Sequence, residues 1–350
     1  MSDFSSLLGK LQNAAKEVNK SKQTVGESTQ DSGRSRAAKR TKRFHGDRSK
    51  ISDDNKLPLQ NSTRKITKPR DVDDLKVDIS FLCIGAQKAG TTWLHNMLRL
   101  HPQLSLPSQK ELHFFDWYRK RGLDWYSNQF PKCDEDCLLG EITPCYAVLA
   151  EDKIAEIKYL FPKSKIIFLA RDLIERTWSA ILMELRNTVR GMEAGEFTND
   201  HIAQMDKRER EKFLREADPS NYDDNYFMER LQHSTHRQRS DYAYFLRRWL
   251  RYFPKEQILI INYKDISQRP REMMDEVFSF IGVDGKSENC IKDEQLEMRF
   301  NAASEPQLRQ QIRPSLRKKM AKYLKPMAND FNTLLGELGY DWKIDDYSSI

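Results

Sequence analysis

The sequence predicts an α/β protein with three layers, α/β/α, around a central parallel sheet. It also predicts a P-loop-like nucleotide site and, ahead of the domain, a disordered N-terminal tail. Three observations carry this. From Asp78 onward, short apolar runs alternate with amphipathic helical patterns, the rhythm of a parallel sheet covered on both faces. The first run leads into a helix through a loop bounded by Gly85 and Gly90. Of the 350 residues 38% are hydrophobic, enough for a sizeable core in one large domain or two ordinary ones. No apolar run approaches the roughly twenty residues that a membrane helix needs.

Residues 78–84 (DISFLCI) read as a buried strand. The helix after it spans about 91–100 and stops at His101-Pro102, because proline cannot continue a helix. Residues 138–142 form the second strand, and 152–161 an amphipathic helix ended by Pro162. Residues 165–170 (KIIFLA) are the clearest strand and feed a helix over about 172–187. Next come a helix at 241–253, a strand at 257–261 (QILII) and a helix at 270–281 with proline in its first turn, where no N–H is needed. A last helix covers about 314–338. The highly charged stretch 190–239 breaks this rhythm and reads as an insertion with a helix over 205–217. It is either a lid or selecting segment over a site, or a solvated helical excursion.

Charge is concentrated at one end. Residues 1–70 carry 17 Lys and Arg against 7 Asp and Glu, whereas the remaining 280 carry 42 against 45. The expected organisation is therefore a basic tail, 1–70, and one folded domain, 71–350, with the insertion at about 190–239. Residues 23–70 have too few large apolar side chains to order themselves. Ahead of them Phe4, Leu7, Leu8, Leu11, Ala15 and Val18 repeat at helical spacing. They suit a short helix docking on a membrane surface or partner protein, or a frayed helix on a solvated tail. Five cysteines, an odd number, argue against a disulfide-stapled secreted fold, and Met1-Ser2-Asp3-Phe4 lacks the layout of a secretory signal. The expected compartment is the cytoplasm. Cys133 and Cys137 read as thiols rather than a redox pair or half a metal site, and His233 and His236 as solvated rather than metal-binding. No metal ligand set is expected.

Three motifs carry chemistry. In Gly85-Ala86-Gln87-Lys88-Ala89-Gly90-Thr91-Thr92-Trp93, two glycines five apart between strand and helix frame a phosphate cradle, with backbone N–H groups and the helix dipole facing an anion. In the nucleotide triphosphatase version a lysine follows the second glycine and Ser/Thr comes next to hold Mg²⁺. Here Thr91 takes the lysine's position and Lys88 lies inside the loop, which argues against an ordinary ATPase. Arg171, at the C-terminal edge of the clearest strand, is followed by Asp172, Arg176 and Ser179. A guanidinium fork and a hydroxyl suit a phosphate monoester, and the alternative is a surface Arg–Asp pair with a helix serine. Lys110-Glu111-Leu112-His113-Phe114-Phe115-Asp116 sets a carboxylate and an imidazole beside an apolar wall, fit for acid–base work or merely for packing.

In order and spacing these segments resemble the sulfotransferase family, in particular the branch of bacterial and heparan-sulfate-type enzymes. The likeness extends through Gly140–Tyr146, Tyr242–Leu250, Gln257–Tyr263, Phe280–Val283 and Leu335–Gly339, and so covers roughly 78–343 without the insertion. The resemblance implies 3'-phosphoadenosine 5'-phosphosulfate (PAPS) as donor and a hydroxyl- or amine-bearing acceptor, either a glycan, a lipid or a small molecule. It implies that Lys88, Ala89, Gly90, Thr91, Thr92 and Trp93 hold the 5'-phosphosulfate, that Arg171 and Ser179 grip the 3'-phosphate, and that Arg299 is an extra ligand. Glu111 would be the general base, Lys88 would neutralise the leaving oxygen, and His113 would support the acceptor side, with no metal required. Many glycosaminoglycan enzymes carry lysine immediately after the position of Glu141, whereas Ile142 stands here, which weakens the case for a polyanionic sugar. The rival readings are a P-loop kinase or NTPase that takes Mg²⁺-ATP, and a basic-tailed nucleic-acid-binding protein with steep salt dependence.

Overall fold

A computed structural model of the chain describes residues 66–132, 136–193, 222–283, 285–298 and 312–350. The pattern at 4–18, the expected helix at 205–217, Cys133 and Arg299 lie outside the described residues. Five strands form one sheet: β1 (Ile79–Gly85), β2 (Leu104–Ser105), β3 (Leu138–Ile142), β4 (Lys165–Ala170) and β5 (Ile258–Asn262). Their order is β2-β3-β1-β4-β5 and every neighbouring pair is parallel. Phe81, Leu82, Cys83 and Ile84 of β1 and Ile166, Ile167 and Leu169 of β4 are fully buried. Because both faces of a parallel sheet are covered, these strands appear in the sequence as unbroken apolar runs.

The flanking helices are α1 (Thr91–Leu98), α2 (Gly122–Ser127), α3 (Glu151–Leu160), α4 (Leu173–Glu193), α5 (Asp224–Gln232), α6 (Ser234–Ser240), α7 (Tyr242–Leu250), α8 (Asp265–Gln268), α9 (Pro270–Ile281), α10 (Asp293–Glu297) and α11 (Pro314–Leu338). The α/β class holds as expected. β3, β4, α9 and α11 have their expected bounds, and β1 and β5 are displaced by one residue. β2, α2 and a wide π-type turn over Phe114–Tyr118 were not anticipated, since each is too short to show a period.

The chain divides into two units. Of the described residues, one unit contains the sheet and takes in those up to 177, those from 237 to 298 and those from 321 to 350, and the other takes in 178–193, 222–236 and 312–320. In the second unit Asp223 caps α5 by accepting from the Tyr226 N–H at 2.8 Å. His236 is buried, with Nε2 3.1 Å from the Glu184 carboxylate that also pairs with Arg230. The solvated reading therefore fails for His236, which belongs to a helix and an ion-paired cluster, while His233 is exposed. Cys137 is a half-exposed reduced thiol.

In the sheet, Gly140 sits opposite Phe81. A Cβ there would lie 1.9 Å from the Phe81 ring, which is itself fully buried and unable to yield. Gly140→Ala is expected to destabilise the protein by about 1–3 kcal/mol through overpacking, read as a lower urea midpoint at unchanged slope.

β1 is central. The chain completes β3 on one side of it before crossing to β4 on the other, so the topological switch lies at the carboxyl end of β1. Loops from β1, β3 and β4 meet there, the place where open α/β sheets bind ligands.

Candidate active site

The loop after β1 is tied to β4 by the Ala86 N–H, which donates to the Leu169 carbonyl at 2.9 Å. Gly90, at the N-terminus of α1, has φ 85°. A Cβ there would meet the Ile266 side chain at 2.3 Å and the Tyr263 ring at 3.3 Å, so glycine is required both by conformation and by space. The first-turn amides of α1 have no intrahelical acceptor and present a positive dipole end. Ala89, Thr91 and Trp93 are buried, and the Trp93 indole donates into the core to the Leu296 carbonyl at 3.1 Å. The Trp93 indole is thereby engaged in the core. Thr92 is half-buried.

Arg171 follows β4 directly. Its Nη1 donates to the Lys88 carbonyl at 2.9 Å, and its guanidinium lies over the Tyr263 ring, 4.6 Å from the centroid. The Arg171 carbonyl accepts from the Tyr242 hydroxyl at 3.1 Å. The two motifs that the sequence separates by more than eighty residues are thus in contact. A surface Arg–Asp pair does not form, because Asp172 turns away to the Glu175 N–H at 2.9 Å and the Tyr347 hydroxyl at 2.8 Å. Arg176 is fully buried, bonded to the Thr177 and Ser240 hydroxyls at 2.7 and 2.8 Å, and is a core residue. Ser179, half-buried, lies further along α4 and in the second unit.

The third motif lies along the end of β3, where the Glu111 N–H donates to the Ile142 carbonyl at 3.1 Å. Glu111 pairs with Lys110, and its Oε2 lies 3.5 Å from His113 Nε2. His113 Nδ1 lies 2.8 Å from Asp116 Oδ2, and its ring stacks on Trp117 with 3.6 Å between centroids. The result is a chain, Lys110–Glu111–His113–Asp116. Burial works against the Glu111 charge, but the His113 hydrogen bond and the Lys110 charge hold its carboxyl down to about 2. Burial likewise opposes the His113 charge, yet hydrogen bonds to Asp116 and Glu111 raise it to about 9. At neutral pH the pair is carboxylate and imidazolium.

The signs define a window. Glu111, lowered from 4.5, contributes stability above that value and loses it as pH falls towards about 2. His113, raised from 6.5, contributes fully below that value and loses it as pH rises through about 9. The stability difference between the wild type and His113→Gln is therefore expected to shrink between about pH 6.5 and 9, measured by denaturant midpoints across pH.

Among the described residues only Lys88, Glu111, His113 and Tyr347 combine a side chain with positive φ, at 68°, 64°, 53° and 59°. Such backbone costs on the order of 1–3 kcal/mol per residue and persists where the surroundings over-determine it, commonly at functional sites. Three of the four are the residues that the sequence marks for chemistry.

Several contributors were not singled out in the sequence. Asp116 lies in a quoted motif, three residues from the histidine it orients. Glu141, buried and raised by that burial, accepts from Tyr126, Thr143 and Tyr146 hydroxyls at 2.7, 2.7 and 2.8 Å. The Tyr146 hydroxyl in turn accepts from the Phe114 and Phe115 N–H groups at 2.9 and 3.2 Å, fixing the turn that follows His113. Arg239 donates to Cys145 Sγ at 3.4 Å and lines a narrow cavity with Ala86, Gln87 and Pro144. His113, Asp116 and Cys145 bring ligand-type atoms within 4.8 Å of one another. Ile142 is buried, so its side chain packs in the core.

Fold and site together define an α/β protein in which a strand–loop–helix turn after the central strand is bonded through its backbone to Arg171. The chain belongs to the sulfotransferase domain family, whose model matches residues 78–330. It is 24% identical over 264 residues to the membrane-associated sulfotransferase kil1 of Dictyostelium discoideum, covering 58% of this chain and 56% of that protein. It is 30% identical over 217 residues to the bifunctional heparan sulfate N-deacetylase/N-sulfotransferase 4 of Mus musculus, covering 58% of this chain and 22% of that protein. With the heparan sulfate glucosamine 3-O-sulfotransferase 5 of Homo sapiens the identity is 24% over 276 residues, 73% of this chain and 71% of that protein. The crystal structure of a sulfotransferase from Alicyclobacillus acidocaldarius shares the fold, with TM-score 0.52 and 18% identity over 76% of this chain and 98% of that one. These matches favour the sulfotransferase reading over the phosphotransferase one. Among the described residues no helix is long and apolar enough to cross a membrane.

Proposed function

We propose that the chain is a PAPS-dependent sulfotransferase acting on a hydroxyl or amine of a glycan, a lipid or a small molecule. The observation that carries the reading is the bond from the Arg171 guanidinium to the Lys88 carbonyl, which sets Arg171 against the loop and so within reach of a nucleotide bearing two anionic groups. The first-turn amides of α1, which have no intrahelical acceptor, are the donors that such an anion needs. The Lys88–Thr92 loop would hold the 5'-phosphosulfate and Arg171 the 3'-phosphate.

When bound, the donor supplies an activated sulfuryl group. The acceptor oxygen attacks sulfur, the bond to the bridging oxygen breaks, and its electron pair stays on the nucleotide 5'-phosphate. Lys88 offsets the charge that develops on that oxygen. Glu111 takes the acceptor proton. A carboxylate held near 2 is a weak base but is always ionised. In a loose transition state the attacking oxygen becomes acidic late, when a weak base suffices. His113, kept charged by Asp116, holds that carboxylate on the acceptor side. A sulfuryl group carries less negative charge than a phosphoryl group, so no metal clamp is called for.

The basic tail is assigned to a membrane surface or partner protein, and the cytoplasm remains the proposed compartment. The tail, 1–70, is taken as accessory to one catalytic domain, 71–350, which carries the insertion at about 190–239.

A thermal-shift comparison tests the reading. Stabilisation by 3'-phosphoadenosine 5'-phosphate in the presence of EDTA is expected, with none by Mg²⁺-ATP or an oligonucleotide. Arg171→Ala is expected to abolish most of it, since a charge-assisted contact contributes about 1.5–3 kcal/mol. Stabilisation by Mg²⁺-ATP alone would defeat the proposal.

A further inference from the structure

Past α11 the chain returns along the sheet. The Tyr340 hydroxyl accepts from the Ile260 N–H of β5 at 2.8 Å. Asn332 then exchanges two hydrogen bonds with Ile344, one to its carbonyl and one from its N–H, each 3.0 Å. This strap delivers Tyr347, 3% exposed and at φ 59°, to the N-terminus of α4. Its hydroxyl donates to Asp172 Oδ2 at 2.8 Å and accepts from the Leu173 and Ile174 N–H groups at 3.1 and 3.3 Å. One phenol therefore satisfies two helix-end amides and one oxygen of the carboxylate next to Arg171. The strap residues themselves, Asn332 to Tyr347, lie beyond residue 330, where the family match ends.

We propose that Tyr347 is a positioning residue for the donor site: by engaging the Asp172 carboxylate it keeps that charge off the adjacent Arg171 guanidinium, which stays available to the donor's 3'-phosphate. The inference rests on the reading of Arg171 given above. Two physical points support it. The N-terminus of α4 is a second positive dipole end at the carboxyl edge of the sheet, but the phenol already fills it, so an anion there must rely on Arg171. Without the hydroxyl, Asp172 Oδ2 loses its partner, and the residue before it in the chain, Arg171, carries a cation. An Arg171–Asp172 pair would then compete with phosphate for the same fork. The Asp172 contact with the Glu175 N–H is independent of Tyr347, and Asn can preserve it.

The test is calorimetric titration of 3'-phosphoadenosine 5'-phosphate into the full chain and four variants: Arg171→Ala, Tyr347→Phe, Asp172→Asn and Asp172→Asn/Tyr347→Phe. Thermal midpoints are measured in parallel. Tyr347→Phe is expected to bind about tenfold more weakly, and the double variant to return within about threefold of the wild type. The thermal midpoint is expected to fall in both, because Asn cannot restore hydrogen bonds to the α4 amides. Recovery of affinity without recovery of stability marks positioning rather than mere packing. Unchanged affinity in Tyr347→Phe, alongside a weakened Arg171→Ala, overturns this inference and leaves the donor reading standing. Weakened binding that the double variant fails to rescue also overturns it. Should Arg171→Ala bind like the wild type, the donor reading falls and this inference with it.

Discussion

Glu111→Gln is expected to lower transfer about 10²–10⁴-fold while nucleotide binding stays within about threefold of the wild type. The split follows from where Glu111 sits. Its backbone is bonded to Ile142 at the end of β3, and its carboxylate to Lys110 and His113, none of which belongs to the Lys88–Arg171 contact. The substitution keeps the side chain's shape and a hydrogen-bonding oxygen but removes the proton acceptor. It also leaves Lys110 without its counter-charge, while His113 keeps Asp116, and this favours rather than hinders an anionic donor. Single-turnover transfer beside a binding titration checks both halves. Loss of binding equal to the loss of rate would remove Glu111 from the proton-transfer role.

Lys88→Ala is expected to lower kcat about 10²–10³-fold, the range for removing one group aimed at developing charge. Unlike Glu111→Gln it is also expected to weaken the donor complex, since Lys88 lies in the cradle itself. Its backbone carries a second burden. The residue is held at φ 68° and its carbonyl is the acceptor for Arg171. Lys88→Met keeps the stem and separates loss of charge from loss of packing. Both variants are expected to lose rate, and EDTA is expected to change neither them nor the wild type. Activity in Lys88→Ala that depends on Mg²⁺ would contradict the scheme.

The sheet was legible because β1 and β4 are buried on both faces and so show as apolar runs. The cradle was legible because its glycines answer to backbone geometry that no other residue satisfies cheaply. The limits lie where local pattern carries no trace of a distant partner. Arg171 and Asp172 are neighbours in sequence, and a pair was the natural alternative. Only the fold shows one reaching Lys88 and the other Tyr347, 175 residues away. Trp93 belongs to the loop motif, but no spacing rule tells whether its indole faces the loop or, as found, the Leu296 carbonyl. The orienting role of Asp116 depends on the wide turn at Phe114–Tyr118, a conformation without a periodic signature. Glu141 reads as an ordinary strand carboxylate until three hydroxyls from separate segments close on it.

The most direct measurement is a crystal structure of the chain with 3'-phosphoadenosine 5'-phosphate in EDTA. The 5'-phosphate is expected against the loop of Lys88 and the first amides of α1, and the 3'-phosphate on the Arg171 guanidinium, within one continuous crevice. A nucleotide bound elsewhere, or one that reaches the loop while Arg171 faces a different cleft, would contradict it.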